Sequence, residues 1–347
     1  MLAARYLGPG RIESIQVPTP EVGNEEALVK VEACGFCGSD LGIVAGVHPR
    51  AKAPLTLGHE FCGRIERIQS ASTPNLKEGD LVTAYPLISC GRCYVCRAGA
   101  SHVCRELRLY GFDVDGAMAE CVRLPVSSLL RLPNDMSPLV GAVVEPLAVA
   151  VHGVSLAPTE DASTAVVMGA GPIGLLTALV ARAKNIASVL ISDVLPSRLA
   201  LATRLGLHAV PAGAELKKIV GATTSGDGVD LLFECAGVPG TAKDMTSLVR
   251  SRGTIVNLGV FKKPVEVDMQ TVNFKELSIL GSRVYTRRDF EVAIELASIL
   301  PIRDIVTHLF PLPEVQAAFD LFRRGHDVCK VLMIPNGAVS ESLFSRG

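Results

Sequence analysis

The chain predicts an α/β protein of two domains, a mostly antiparallel β domain followed by a doubly wound parallel sheet. Three observations predict it. Roughly the first 145 residues are rich in Gly and Pro and carry short apolar runs such as Ala27 to Cys34 and Phe61 to Ile68, the pattern of antiparallel strands. From Thr164 the texture changes to apolar strand-length segments alternating with helix-length ones, which implies parallel strands covered by helices. The length, 347 residues, is too great for one core and fits two domains.

The elements follow in order. In the second domain, Thr164 to Met168 reads as a buried strand, Pro172 to Lys184 as a helix, Ser188 to Asp193 as the next strand and Ser197 to Gly206 as the next helix. Val229 to Gly237 and Thr254 to Gly259 carry two more strands, and Leu277 to Val284 holds the last. Asp289 to Leu300 and Leu312 to Arg324 have helical amphipathic spacing, and Cys329 to Pro335 reads as a closing strand, all expected to return to the first domain. The expected division is 1–146, 147–286 and a returning segment 287–347, with 336–347 a surface tail.

Charge and composition remove several function classes. Lys plus Arg number 34 and Asp plus Glu 35, so there is no general electrostatic case for nucleic-acid binding. Hydrophobic residues make up 48%, yet the richest stretch, Gly141 to Ala157, is interrupted by Glu145, Pro146 and His152 and does not read as a membrane span. Met1 to Pro18 has no basic start leading into an apolar core and cleavage site, so a cytoplasmic protein is expected. Of the cysteines, Cys34, Cys62, Cys121, Cys235 and Cys329 stand isolated in apolar surroundings and read as small core hydrophobes.

Cys90, Cys93, Cys96 and Cys104 are different. Two Cys-x-x-Cys steps share Cys93, and the fourth cysteine returns shortly after, a spacing that suits a tetrahedral thiolate site. Zinc takes four thiolates without redox demand, and a closed shell leaves no position for substrate, so a structural zinc lobe over about 88–106 is expected. Two disulfides are the competing reading, but they belong to secreted chains.

Gly169, Gly171 and Gly174 form a G-x-G-x-x-G motif, with Pro172 and Ile173 between, directly after a buried strand and at the start of a helix. Gly169 permits the tight turn, Gly171 lets the backbone approach a pyrophosphate, and Gly174 lets the helix pack closely. The helix N-terminus then favours the phosphates, as in a Rossmann dinucleotide site. Asp193 ends the next strand, where a carboxylate accepts the ribose hydroxyls of NAD and repels a 2′-phosphate. Arg198 argues for NADP, but Asp193 opposes it, and NAD is the expected cofactor.

Upstream, Cys37, Ser39 and Asp40 stand together, His59 adjoins Glu60, and Glu145 falls just before the junction. One thiolate, one imidazole and carboxylates make a mixed shell suited to zinc with an exchangeable position. In this order, Gly58-His59-Glu60, the four-cysteine lobe, Glu145 to Ala150 and the glycine motif, the chain resembles the zinc-dependent medium-chain dehydrogenase/reductase family over nearly its whole length. It looks most like the polyol, sugar-acid and threonine dehydrogenase branch, because Glu145 stands where liver-type alcohol dehydrogenases have a cysteine. The resemblance implies a GroES-like β domain carrying catalysis and two zincs per chain. It makes Cys37 and His59 ligands of the catalytic zinc, with Glu60 and Glu145 competing for the remaining places. Asp40 matches the acid that orients the histidine ligand. Ser39 matches the hydroxyl that takes the substrate proton.

The implied reaction is reversible oxidation of a secondary alcohol to a ketone, with zinc acting as a Lewis acid and a nicotinamide accepting hydride. The pattern departs from the family at Gly42, where many relatives have a histidine that passes the proton to solvent; His48 or a water chain is the candidate substitute. The substrate cleft is expected near His48, Tyr110, Phe112, Arg283 and Tyr285, with Arg283 available to a carboxylate or phosphate. The competing role for Arg283, Arg287 and Arg288 is to flank the following helix. His152, in an apolar run, reads as a core histidine, and Cys34-x-x-Cys37 lacks the context of a redox motif. The substrate expected is a small hydroxylated molecule, a polyol, sugar or sugar acid. Threonine is the alternative substrate, and a non-catalytic sensing or assembly role the alternative class. A homodimer or homotetramer follows from the family and from the apolar strand near Leu277.

Overall fold

The computed structural model describes residues 1–71, 75–325 and 327–337. The chain divides into two compact units, the first formed by Met1–Glu145 with the chain from Ala297 onward, the second by Pro146–Leu296. The return to the first unit therefore begins after Leu296, later than the boundary after residue 286 read from the sequence. The difference is the helix Arg287–Ala297. Its Asp289 accepts a hydrogen bond from Thr286 and faces His152, both within the second unit.

The first unit is built on a mixed sheet whose hydrogen-bonded path runs Leu129–Arg131, Leu81–Ala84, Glu60–Gln69, Glu26–Gly35, Lys330–Ile334 and Val306–Pro311, with Cys121–Pro125 also pairing Glu26–Gly35. All these pairings are antiparallel except the last, between Lys330–Ile334 and Val306–Pro311. Glu26–Gly35 pairs on both edges and is buried along most of its length, as its apolar run requires. A smaller sheet joins Arg11–Gln16, Leu2–Gly8 and Leu55–Thr56. The short pair Leu87–Ile88 and Arg108–Leu109 closes the base of the cysteine lobe. Asn336 of the expected tail is tied down, donating to the Val31 and Glu120 carbonyls; residues 338–347 lie outside the described residues.

The second unit is a six-stranded, wholly parallel sheet in the order His208–Pro211, Ser188–Asp193, Thr164–Met168, Val229–Glu234, Val249–Asn257, Ser278–Gly281. Order reverses beside Thr164–Met168, the point at which doubly wound sheets take their ligands. Val166, Leu190, Leu232 and Ile255 from four strands meet Leu216, Val220, Met245 and Leu248 from two helices in one buried core. Those helices, Ala214–Thr223 and Pro239–Leu248, are not among the elements read from the sequence; each mixes polar and small residues that blur the helical period.

Candidate active site

Four sulfurs converge in the lobe. Cys90, Cys93, Cys96 and Cys104 are free thiols whose Sγ atoms all lie within 4.8 Å of one another, with Cys93–Cys96 at 3.4 Å and Cys93–Cys104 at 3.9 Å. Tetrahedral zinc–thiolate bonds of about 2.3 Å put sulfurs about 3.8 Å apart. Backbone N–H groups of Cys90 and Glu106 donate to Cys104 Sγ, as expected around thiolates. N–H groups of Arg105 and Cys96 pull Cys93 down to about 6, whereas burial and the neighbouring sulfurs push Cys96 up to about 12. Four such sulfurs are all deprotonated together only around a cation, and a divalent metal fits them.

The second cluster is assembled from two places in the first unit. Cys37 caps the helix Gly38–Val44, His59 immediately precedes the strand Glu60–Gln69, and Cys37, His59 and Glu60 each bring a ligand atom within 4.8 Å of the others. His59 is 3% exposed and Glu60 1%, so neither is solvated as a surface loop pair would be. Burial alone would pull the His59 imidazole down, but the Cys37 sulfur, with Glu145 and Asp40 adding their charge, holds its pKa up to about 10. Burial pushes Asp40 up to about 6, against the pull of His59 and the Cys37 N–H. Asp40 Oδ1 and His59 Nδ1 are buried polar atoms without a hydrogen-bond partner. An orphaned carboxylate oxygen and ring nitrogen beside this acidic cluster fit a cation held by Cys37, His59 and Glu60.

Asp40 differs from its expected contact. Its Oδ2 accepts the Cys37 N–H at 2.8 Å, a local cap within the helix, and acts on His59 through charge and not through a hydrogen bond. Ser39 is exposed on the same helix turn. Glu145, 5% exposed, opens the helix Val144–Ser155 and contributes charge at His59.

The residues expected around substrate separate into distinct places. Phe112 packs edge-on against His59, with ring centroids 4.9 Å apart, and against His48 at 5.1 Å. His48 Nδ1 accepts the Ala51 N–H, its backbone N–H donates to the Gly42 carbonyl, and burial with Arg50 nearby lowers its pKa. Arg50 ties this loop to the next through the Leu107 carbonyl and Asp113. Tyr110, by contrast, lines a separate cavity of about 640 Å³ with Arg5, Arg108 and Arg123, whose lining includes none of Cys37, His59 or Glu60. The reason is the turn at Gly111, which has a φ of +79° and sends Tyr110 and Phe112 apart. Tyr285, expected at the substrate cleft, is 0% exposed and packs on Phe290 as a core residue. Arg283 is exposed, while Arg287 and Arg288 both face Glu291 on their own helix.

In the second unit, Gly169 has a φ of +100° and a Cβ there would meet Ala236. A Cβ at Gly174 would stand 1.7 Å from the Gly169 carbonyl oxygen, and one at Gly171 would enter open space. The turn is thus closed beneath and clear above, and Gly171 caps the helix Pro172–Ala183 with Pro172 and Ile173 in its first turn. Asp193 accepts the Ala170 N–H at 2.8 Å and the Leu195 N–H at 2.9 Å, and Arg198 Nη1 lies 3.4 Å from it. His152 is satisfied by Asp289 at 2.9 Å, as expected of a core histidine.

One residue was missed. Lys330, 2% exposed, places its ammonium 2.5 Å from Glu60 Oε2. Its only trace in the sequence is a cation opening an otherwise apolar strand.

A glycine-turn nucleotide fold in one unit, with a four-thiol cluster and a Cys-His-Glu cluster in the other, defines a zinc-dependent dinucleotide dehydrogenase. Residues 23–134 match the alcohol dehydrogenase GroES-like domain and residues 172–298 the zinc-binding dehydrogenase domain. The chain belongs to the zinc-dependent medium-chain dehydrogenase/reductase family and acts on CH–OH groups with a nicotinamide cofactor. It is 35% identical over 332 residues to an L-threonine 3-dehydrogenase of Bacillus subtilis, covering 92% of this chain and 94% of that one. It is 34% identical over 325 residues to a 2-dehydro-3-deoxy-L-galactonate 5-dehydrogenase of Pseudoalteromonas atlantica, with the same coverage. Among solved structures, a Sinorhizobium meliloti protein described as a zinc-binding dehydrogenase and bound to NADP matches with a TM-score of 0.87 and 36% identity, over 96% of this chain and 99% of that one.

Proposed function

We propose that this enzyme oxidises a secondary hydroxyl of a polyol or polyhydroxy acid to the ketone with NAD. The observation that carries the substrate class is the pairing of two acids around the Cys37 cluster: Glu60 faces Lys330 and Asp113 faces Arg50. A substrate ammonium, as threonine carries, needs a carboxylate to itself, whereas hydroxyls are served by shared acceptors. Similarity to a sugar-acid dehydrogenase supports the same class. The similarity to threonine dehydrogenases keeps threonine as the second reading.

Cys37 and His59, with Glu60 or Glu145, would hold the catalytic zinc, and Cys90, Cys93, Cys96 and Cys104 the structural one. The bound zinc would supply Lewis acidity to the substrate hydroxyl, and a bound nicotinamide a hydride acceptor. Ser39 accepts the released proton and passes it outward. Phe112 shields one side of His59 from water, which strengthens the local electrostatics. His48, whose pKa is lowered by burial and by Arg50 and whose backbone N–H donates to the Gly42 carbonyl, is the candidate to replace the absent relay histidine. Asp193 accepts the adenosine ribose hydroxyls, its charge disfavouring a 2′-phosphate, with Arg198 already drawn to it. The edge strand Ser278–Gly281, with Ile279 39% and nearby Phe274 76% exposed, supports pairing with a second copy in a homodimer or homotetramer. The free thiols fit the cytoplasm, and no described helix is long and apolar enough to cross a membrane.

The test is NADH formation by zinc-replete protein across polyols, hexonates, sugar phosphates and threonine. Turnover on one stereochemical class of polyhydroxylated substrate, abolished by chelation, is expected; turnover on threonine alone would overturn the substrate reading. Replacing NAD by NADP in the same assay should lower kcat/KM at least tenfold, and Asp193→Ser should narrow that gap.

A further inference from the structure

Lys330 opens the strand Lys330–Ile334, all five of whose residues are buried. Its ammonium donates to the Phe36 carbonyl at 3.0 Å and to Glu60 Oε2 at 2.5 Å. The backbone leaves room for this pair. Gly35 stands opposite both Glu60 and Leu332 in the sheet register, and a Cβ at Gly35 would lie 2.5 Å from Glu60 Oε2. The carboxylate therefore lies over the one residue in the row with no side chain and reaches across it to the lysine. A buried ammonium is costly unless paired and hydrogen-bonded, and here it has both a carboxylate and a carbonyl.

We propose that Lys330 is a positioning residue that holds one oxygen of Glu60 away from the catalytic metal, leaving the other for coordination and so making Glu60 an exchangeable ligand. This rests on the reading of Cys37, His59 and Glu60 as the catalytic metal site. A carboxylate whose charge is shared with a buried ammonium is a weaker donor, and one whose second oxygen is occupied does not chelate. Lys330 is the ion-pair partner of Glu60 among the described residues; without it the carboxylate turns wholly to the metal, and that bond tightens.

The experiment uses full-length protein with cobalt in the catalytic site, following its visible spectrum and the rate of metal loss to a chelator. Lys330→Met should slow metal loss about tenfold, a change of about 1.4 kcal/mol, and shift the spectrum toward a higher coordination number. Lys330→Arg should stay near wild type. In a Glu60→Gln background, Lys330→Met should change neither readout, because the lysine acts through Glu60. An unchanged release rate and spectrum in Lys330→Met, or an equal effect with and without Glu60, overturns the proposal. If Lys330→Met does not fold, folding of the double variant Lys330→Met/Glu60→Gln supports the coupling; failure of both shows that Lys330 serves the fold instead. The underlying site reading fails separately, if wild-type protein binds one metal per chain and not two.

Discussion

Asp40 serves two neighbours from one position: one oxygen closes the first turn of Gly38–Val44 on Cys37, while the other, buried and unpartnered, leaves its charge to act on His59. Asp40→Ala removes the cap and the charge together. Loss of a cap costs about 1 kcal/mol, so a fall of a few degrees in Tm is expected, together with faster loss of the catalytic metal measured against a chelator. Asp40→Asn keeps a capping oxygen and should recover most of the Tm but not the metal retention. Ser39 is exposed on the first turn of its helix. Ser39→Ala should leave Tm unchanged and lower kcat on the order of 10²-fold, more than any substitution at Gly42. Equal kcat for Ser39→Ala and wild type would remove Ser39 from the proton path.

The two glycine-dependent and cysteine-dependent elements fail differently. Gly174→Ala forces a Cβ to within 1.7 Å of the Gly169 carbonyl oxygen, so the helix Pro172–Ala183 must shift on its strand. Overpacking of this kind costs roughly 1–3 kcal/mol, and NADH should bind at least tenfold more weakly in a fluorescence titration, with both zincs retained. Cys104→Ser does the reverse. Cys104 is 1% exposed, accepts two backbone N–H groups and completes the four-sulfur cluster. Its loss should remove one zinc per chain and lower Tm, leaving NADH affinity near wild type; retention of two zincs would refute the four-thiolate assignment.

At the scale of the whole molecule, the Asp230–Arg250 ion pair couples stability to pH. Asp230 accepts N–H groups of Ser163 and Thr164 and pairs with Arg250 at 2.7 Å. Partial burial would raise its pKa, but Arg250 and the Thr164 and Ser163 donors outweigh it and hold the carboxyl well below the usual range. The folded pKa is below the unfolded value of about 3.9, so its stabilisation is complete above that pH and is lost as pH falls. Asp230→Asn should lower Tm at pH 7 and flatten the decline of Tm between about pH 4 and pH 2. A decline as steep as that of wild type would assign acid lability to other groups.

Much of this was legible in the chain because the signals are local. The cysteine spacing, the glycine motif after a buried strand and the Cys37 and His59-Glu60 segments each lie within a few residues, and short-range geometry dictates their chemistry. So does the alternation that predicts a parallel sheet. The tertiary structure decided what spacing does not encode. It separated Tyr110 from Phe112 across Gly111, buried Tyr285 in a core where the resemblance implied a substrate cleft, and kept the helix Arg287–Ala297 with the second unit through Asp289 and His152. It also brought Lys330 to Glu60 from 270 residues away. Sheet register sets that contact, and register depends on which apolar strands find one another, a property of the folded whole and not of any one segment.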